Sequence, residues 1–164
     1  ITSGKWTEIA ASSGFLPLIC GAPDKEQAAR LAMHLTDPES FKTTIRIPSL
    51  SKKHHAFYNK DMWRGPMWNN VNWLIVRGLK RYGFQELARE IIRETVSVQL
   101  KYYLQFGGFF EYYDDRDEMP PPALPRKGFN DPSGMTLHQA VHDLGWSAAL
   151  FIDMVHQLTQ EENE

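Results

Sequence analysis

Two short segments of this 164-residue chain carry residue types that can stack on a sugar ring or transfer a proton. In the first, residues 61–70, two Trp rings can stack on the apolar face of a sugar, and one Arg can bind vicinal hydroxyls or a carboxylate. Its candidate substrate-binding residues are Trp63, Arg64, Gly65, Trp68 and Asn69. The segment also suits a helix entry whose aromatic side chains fill the core, and the residues alone leave both interpretations open.

In the second segment, residues 107–115, aromatic residues surround the carboxylate of Glu111. Two glycines before it allow a tight turn that would aim Glu111 into a cleft. Such a carboxylate can act as a general base, a general acid or a structural hydrogen-bond acceptor. The adjoining Tyr112 is a further candidate for substrate binding. A structural salt bridge from Glu111 to Arg64, or to a similar cation, is the alternative that stays open.

Composition excludes several other classes of protein. The chain has 18 Lys and Arg against 20 Asp and Glu, a net charge of −2, which excludes nucleic-acid binding driven by overall positive charge. No apolar run approaches the roughly 20 residues of a membrane span. The single cysteine allows no internal disulfide and gives weak support for a cytoplasmic location, which the sequence otherwise leaves unknown. No residue pattern calls for a metal or another cofactor.

The hydrophobic periodicity predicts an all-α fold in which long loops separate the helices. The four predicted helices cover residues 24–35, 67–82, 84–104 and 143–158. Asp24 and Gln27 suit a capping box at the start of the first helix. Three weaker candidates are a short helix over residues 6–11 and strands over residues 43–47 and 109–113.

The run from Met62 to Gly83, which begins Met-Trp-Arg-Gly-Pro-Met-Trp-Asn-Asn, resembles glycoside hydrolase family 63. That family includes processing α-glucosidase I, bacterial α-glucosidases and mannosylglycerate hydrolases. Residues 110–113 resemble its catalytic-base segment, and residues 145–149 resemble its final-helix segment. Residues 37–41 match a turn that precedes its substrate-binding stretch. The resemblance covers nearly all of the chain, with the motifs in the family's order.

The resemblance implies both a fold and a mechanism. The family's catalytic domain is an (α/α)6 barrel, a toroid of helical hairpins, and its members hydrolyse α-glycosides with inversion of configuration. Glu111 matches the general base, which takes a proton from the water that attacks the anomeric carbon. In inverting enzymes the acid and the base lie roughly 6.5–9.5 Å apart. The sugar-binding subsite matches the candidates of the first segment, with Trp146 near the same pocket.

The family's general acid is an Asp that lies well upstream, and no Asp of this chain has the matching context. The resemblance therefore implies the C-terminal part of an (α/α)6 barrel: one partial catalytic domain over residues 1–164, with a long loop at about 114–142. That loop either caps the cleft or is a surface ornament. The expected partners are a carbohydrate substrate and the missing N-terminal part of the barrel, which would supply the acid.

Whether the isolated chain is an enzyme stays open at this point. The alternative function is a non-catalytic carbohydrate-binding or scaffold protein derived from the same fold. Trehalase-like and glucoamylase-like hydrolases share the toroid, but the Trp-Arg-Gly-Pro run favours family 63.

Three other features have structural interpretations. His138 and His142 have the spacing of a helical metal pair but lack the Glu that follows the first His of a zincin. The acidic cluster at residues 114–118 lacks the EF-hand spacing and predicts a solvated loop. Cys20 follows an apolar run and is expected to be a small buried residue.

Overall fold

Helices joined by long connections make up the described part of the chain. The computed structural model describes residue 4, residues 8–128 and residues 140–161. Its α-helices are α1 (Pro17–Cys20), α2 (Lys25–Thr36), α3 (Asn69–Arg81), α4 (Gln85–Phe106) and α5 (Gly145–Glu161). Short 3-10 helices lie at Ser12–Phe15, Lys52–His54, Met62–Arg64 and Pro121–Ala123. The described residues contain isolated antiparallel bridges but no strand, so the all-α prediction is confirmed.

Local sequence accounts for the start of α2. The Asp24 carboxylate accepts a hydrogen bond from the Gln27 backbone N–H at 2.8 Å, and the Gln27 side chain accepts one from the Asp24 N–H at 2.9 Å. This reciprocal pair satisfies two of the N–H groups that the first turn leaves without helical partners. The capping box predicted from the sequence is therefore confirmed.

Tertiary pairing delays the start of α3 by two residues relative to the prediction. The Met67 N–H donates to the Tyr113 carbonyl at 2.8 Å, and the Tyr113 N–H donates to the Met67 carbonyl at 3.0 Å. Because both backbone groups of Met67 are used in this antiparallel pair, Met67 adopts an extended conformation, and Trp68 becomes the N-cap of α3. This pair links the two segments that carry the chemistry.

The three long helices pack together around an apolar core. Gly83, at φ +84°, lies in the short turn that joins α3 to α4, and both helices contact α5. The short α1 lies directly against α3, because a Cβ at Gly78 would be only 2.6 Å from the Leu18 Cβ. The fully buried apolar residues of this core include Leu18, Leu35, Ile75, Val76, Leu79, Ile91, Ile92 and Met154.

Two sequence expectations are wrong for reasons of packing. Residues 8–11 are not helical, because Ala11 pairs with Leu50 in an antiparallel bridge; Trp6 lies outside the described residues. Cys20 is exposed rather than buried. It follows the buried Leu18 by two positions, which on a helix is the opposite face.

The acidic cluster also differs from expectation. Asp114 and Asp115 are each only 1% exposed, so the prediction of a solvated loop is wrong at these two positions. His138 lies outside the described residues. No helix among the described residues has the length and apolarity that crossing a membrane requires.

Candidate active site

Main-chain hydrogen bonds hold the segment of Glu111 on two sides. On one side is the Met67–Tyr113 pair. On the other, the Glu111 N–H donates to the Val141 carbonyl at 2.9 Å, and the Leu144 N–H donates to the Phe109 carbonyl at 3.0 Å. The position of the Glu111 backbone is therefore set by hydrogen bonds that do not depend on side-chain identity.

Three aromatic rings form a layered stack beside this segment. Trp63 lies flat on Trp68, with ring centroids 3.8 Å apart and planes 5° apart, and Trp68 lies 5.1 Å from the Tyr112 ring. The Trp68 Nε1–H donates to the Met62 carbonyl at 3.0 Å, which fixes the indole. Trp68 is buried, whereas Trp63 is 50% exposed. Trp63 is therefore the ring of this pair with open surface, and Trp68 supports it.

Gly65 is required by the chain's own backbone. A Cβ at this position would lie 2.0 Å from the Asn59 carbonyl oxygen, and the Asn59 N–H donates to the Arg64 carbonyl at 2.6 Å. The space at the Gly65 Cα is thus occupied by the 59–60 backbone. Binding of substrate at Gly65 stays a prediction.

The cation that pairs with Glu111 is Arg126, not Arg64. The Arg126 Nε–H donates to Glu111 Oε2 at 3.1 Å, and both side chains are largely buried. Glu111 Oε1 makes no hydrogen bond to any other described residue. Arg126 thus holds one carboxylate oxygen, and the other has no hydrogen bond within the part of the chain that the structure describes.

Residues 125–128 are hydrogen-bonded to both candidate segments, residues 61–70 and 107–115. The Tyr112 hydroxyl donates to the Pro125 carbonyl at 2.7 Å. The N–H groups of Lys127 and Gly128 donate to the two Asp61 carboxylate oxygens at 2.9 and 2.6 Å. This described part of the long loop therefore lies against the site. A cavity of about 390 Å³ opens there, lined by Asp61, Met62, Trp63, Arg64, Lys127 and Gly128.

The charges around Tyr112 keep its hydroxyl neutral. Burial raises the pKa of Tyr112 well above its usual 10, and the negative charges of Glu111 and Asp61 raise it further, against an opposing effect of Arg126. Tyr112 therefore stays a hydrogen-bond donor at any physiological pH, and its bond to Pro125 does not titrate.

The remaining predicted site residues occupy three kinds of position. Arg64 is exposed at the cavity wall. Asn69 is fully buried, and its amide donates to the Ser147 carbonyl at 3.0 Å, which ties α3 to α5. Trp146 is 58% exposed, next to Ser147, whose hydroxyl donates to the Phe110 carbonyl at 2.8 Å. Direct sugar contacts of these residues stay predictions.

Arg126 is the functional candidate that sequence reasoning missed. It follows Glu111 by 15 positions in a Pro-rich stretch, and no local pattern distinguishes it from a surface cation. Only the folded backbone brings the two together. Among the described residues, no group of three or more His, Cys, Asp or Glu side chains is arranged to hold a metal ion.

Stacked aromatic rings beside a partly held carboxylate, on a helical scaffold, indicate a protein of the glycoside hydrolase class. The sequence matches the family described as mannosylglycerate hydrolase MGH1-like glycoside hydrolase domain over residues 1–130. The chain belongs to this family.

Individual relatives agree with this family membership. The mannosylglycerate hydrolase MGH1 of Selaginella moellendorffii is 37% identical over 114 residues, which cover 68% of this chain and 22% of that protein. A mannosylglycerate hydrolase of Thermus thermophilus is 32% identical over 114 residues, covering 70% of this chain and 26% of that protein.

Solved structures show the same fold. A family 63 mannosylglycerate hydrolase of Thermus thermophilus, in complex with Tris and D-glycerate, matches with a TM-score of 0.66 and 28% identity, covering 92% of this chain and 31% of that chain. This likeness confirms an all-α fold of the α/α-barrel type. The chain spans about a fifth to a third of the length of these relatives.

Proposed function

We propose that this chain supplies the general base and part of the sugar-binding subsite of an inverting α-glycoside hydrolase. Glu111 takes the proton of a water that attacks the anomeric carbon, while the half-exposed Trp63 ring stacks on the sugar. The observation that carries the proposal is the Met67–Tyr113 backbone pair, because it places the carboxylate segment beside the aromatic stack.

The hydrogen bonds of Glu111 suit a base. Arg126 holds Oε2 and fixes the carboxylate plane, so Oε1 is the oxygen that accepts from the attacking water. In an inverting reaction this water stands between the base and the sugar, which is why the acid must lie roughly 6.5–9.5 Å away. A carboxylate that Arg126 holds through one oxygen can accept from this water through the other, as the base must.

We expect the substrate to be an α-glycoside whose aglycone carries a carboxylate, as in mannosylglycerate. The cavity beside Trp63 is lined by Arg64 and Lys127, and a guanidinium binds a carboxylate through two parallel hydrogen bonds. The names of the relatives, and the D-glycerate bound to the Thermus enzyme, support this choice.

The general acid would come from another part of the same fold. Apolar side chains on α4 and α5 are exposed here, among them Leu100, Leu104 and Ile152. Leu100 and Leu104 are four residues apart and therefore share a face of α4, and an exposed apolar face marks a contact with further protein. Since the matched region covers only 22% to 31% of the relatives, we propose that further helices of the barrel cover this face and carry the acid.

Glu111→Gln in the intact protein that contains these residues tests the proposal. The amide cannot accept the proton, so turnover should fall by roughly 10²–10⁴-fold while sugar binding is retained. Hydrolysis of mannosylglycerate and of aryl α-glycosides is followed, sugar binding is measured by calorimetry, and proton NMR identifies the first-formed anomer.

Glu26→Gln is the matched control, because Glu26 is an exposed acid paired only with Arg30 on α2. It should leave turnover unchanged. Full activity in Glu111→Gln would refute the assignment of the base, and a first-formed product with the anomeric configuration of the substrate would refute inversion. A wild-type protein that binds sugar without hydrolysing it would replace the hydrolase with the carbohydrate-binding alternative.

A further inference from the structure

Two adjacent carboxylates, Asp114 and Asp115, are buried three and four residues after Glu111. A buried carboxylate is unfavourable unless it is paired and hydrogen-bonded. Asp114 Oδ2 accepts hydrogen bonds from the N–H groups of Glu118 and Met119, both at 2.9 Å. These bonds close a local turn, but they do not explain why both carboxylates face inward.

Both carboxylates also have a partner in one short stretch far away in the sequence. The Lys60 ammonium contacts Asp114 Oδ2 at 2.5 Å and Glu118 at 2.8 Å. The Tyr58 hydroxyl donates to Asp115 Oδ2, and the Arg116 guanidinium lies over the Tyr58 ring, 4.7 Å from its centroid. Tyr58 is thus bonded to Asp115, and Lys60 is bonded to Asp114.

The 58–60 stretch is also hydrogen-bonded to the backbone of Arg64. Asn59 lies between Tyr58 and Lys60, and its N–H donates to the Arg64 carbonyl at 2.6 Å. Its carbonyl also closes over Gly65, where no side chain would fit. Any shift of the 58–60 stretch therefore moves the backbone of Arg64 and, with it, the neighbouring Trp63.

We propose that the Tyr58–Asp115 and Lys60–Asp114 pairs form a clamp that sets the position of Trp63 and Arg64 relative to Glu111. Its four residues are positioning residues, and its effect on catalysis depends on the function proposed above. The clamp acts next to the Met67–Tyr113 pair, because its two carboxylates directly follow Tyr113 and its Lys60 directly precedes residue 61. The 61–70 segment is therefore tied to the 107–115 segment at Met67 and again just before residue 61.

Polar pairs fix the relative position of two segments better than an apolar contact does. A buried ion pair adds little net stability over a packed hydrophobic pair, but its directional bonds select one register between segments. Lys60 shows the balance: burial alone would lower its pKa, and its hydrogen bonds to Asp114 and Glu118 raise the pKa overall. Lys60 therefore stays charged at neutral pH.

Tyr58→Phe in the intact protein is the first test, because it removes one hydroxyl and keeps the ring beneath Arg116. We expect kcat per folded molecule to fall roughly 10-fold, while binding of a monosaccharide changes less than about 3-fold, because a small misplacement of the reacting groups reduces turnover more than affinity. Lys60→Met should lower kcat further, and Lys60→Arg should restore most of it.

Lys53→Met is the matched control. Lys53 forms a Lys–Asp pair of similar length with Asp37, at 2.8 Å, but that pair is exposed. Kinetics should not change in this variant. If Tyr58→Phe and Lys60→Met lower the melting temperature and leave kcat per folded molecule unchanged, the residues are merely structural and the clamp is overturned.

Hydrogen exchange gives a readout that does not need catalysis. In Lys60→Met, the Asn59 amide should exchange roughly 10-fold faster, while the amides of the α3 core keep their protection. If the wild-type protein hydrolyses no glycoside, the proposed function fails, and this exchange pattern alone decides the clamp. Unchanged exchange at Asn59 would overturn the clamp even in an active enzyme.

Discussion

The base segment, residues 109–115, and the aromatic segment, residues 61–68, lie side by side but differ in the exposure of their side chains. The base segment is fixed by main-chain hydrogen bonds on both sides, and its Tyr112 and Tyr113 side chains are fully buried. Main-chain hydrogen bonds hold the aromatic segment too, for example at Arg64 and Met67, but its Trp63 and Arg64 side chains are exposed.

This difference separates two parts of the chemistry. A catalytic carboxylate must be held closely, because a small displacement lowers turnover strongly. A sugar-binding face needs open apolar surface, which a fully buried segment cannot offer. Substitutions in the base segment should therefore act on turnover and stability, whereas those at the exposed rings should act on binding.

The largest expected effect distinguishes the two stacked tryptophans. Trp68→Ala removes a buried ring and should lower the free energy of unfolding by about 3–5 kcal/mol. Trp63→Ala loses mainly a stacking contact, about 1 kcal/mol, and should weaken sugar binding roughly 10-fold. Urea unfolding and calorimetry measure the two quantities. Equal destabilisation by both variants would show that Trp63 is a core residue rather than a binding surface.

The next effect concerns stability on the base side. Burial raises the pKa of Asp115 from 3.8 to about 6, against the opposing hydrogen bond from Tyr58. The folded state therefore binds this proton more tightly than the unfolded state. The contribution to stability is complete below about pH 4 and is lost as the pH rises through about 6, a change of about 3 kcal/mol.

Asp115→Asn should remove this pH dependence. The quantity to measure is the difference in unfolding free energy between wild type and variant, from about pH 4 to pH 7. Asp37→Asn is the control of opposite sign. The hydrogen bond from Lys53 lowers the pKa of exposed Asp37, so its contribution is present at neutral pH and lost on acidification. If the unfolding free energy of wild type, relative to that of Asp115→Asn, rises with pH instead of falling, the burial of an unfavourable charge at Asp115 is contradicted.

The smallest effect tests whether main-chain bonds alone position the base. Arg126→Ala leaves the Glu111 backbone fixed but frees its carboxylate, so kcat should fall roughly 10-fold with the fold retained. Arg30→Ala, which breaks an exposed Arg–Glu pair on α2, is the control. If kcat is unchanged in Arg126→Ala, the main-chain hydrogen bonds suffice, and the contrast between the two segments becomes sharper.

Local patterns predicted the helices well and their contacts poorly. The capping box at Asp24 and the four long helices follow from interactions within a few residues, which any local pattern contains. The first residue of α3 was predicted too early, because the Met67 backbone bonds to Tyr113, 46 positions away. The candidate site was predicted as two segments, which the structure brings together, but the ion pair of Glu111 with Arg126 was not predicted.

The sequence by itself determined the class of fold and the membership of a glycoside hydrolase family, and it predicted the two segments that form the candidate site. Only the tertiary structure decided which tryptophan is open, that Asp114 and Asp115 are buried, and that Cys20 is exposed. The physical reason is that helix formation depends on neighbours along the chain, whereas burial and charge pairing depend on which distant residues the folded backbone brings together.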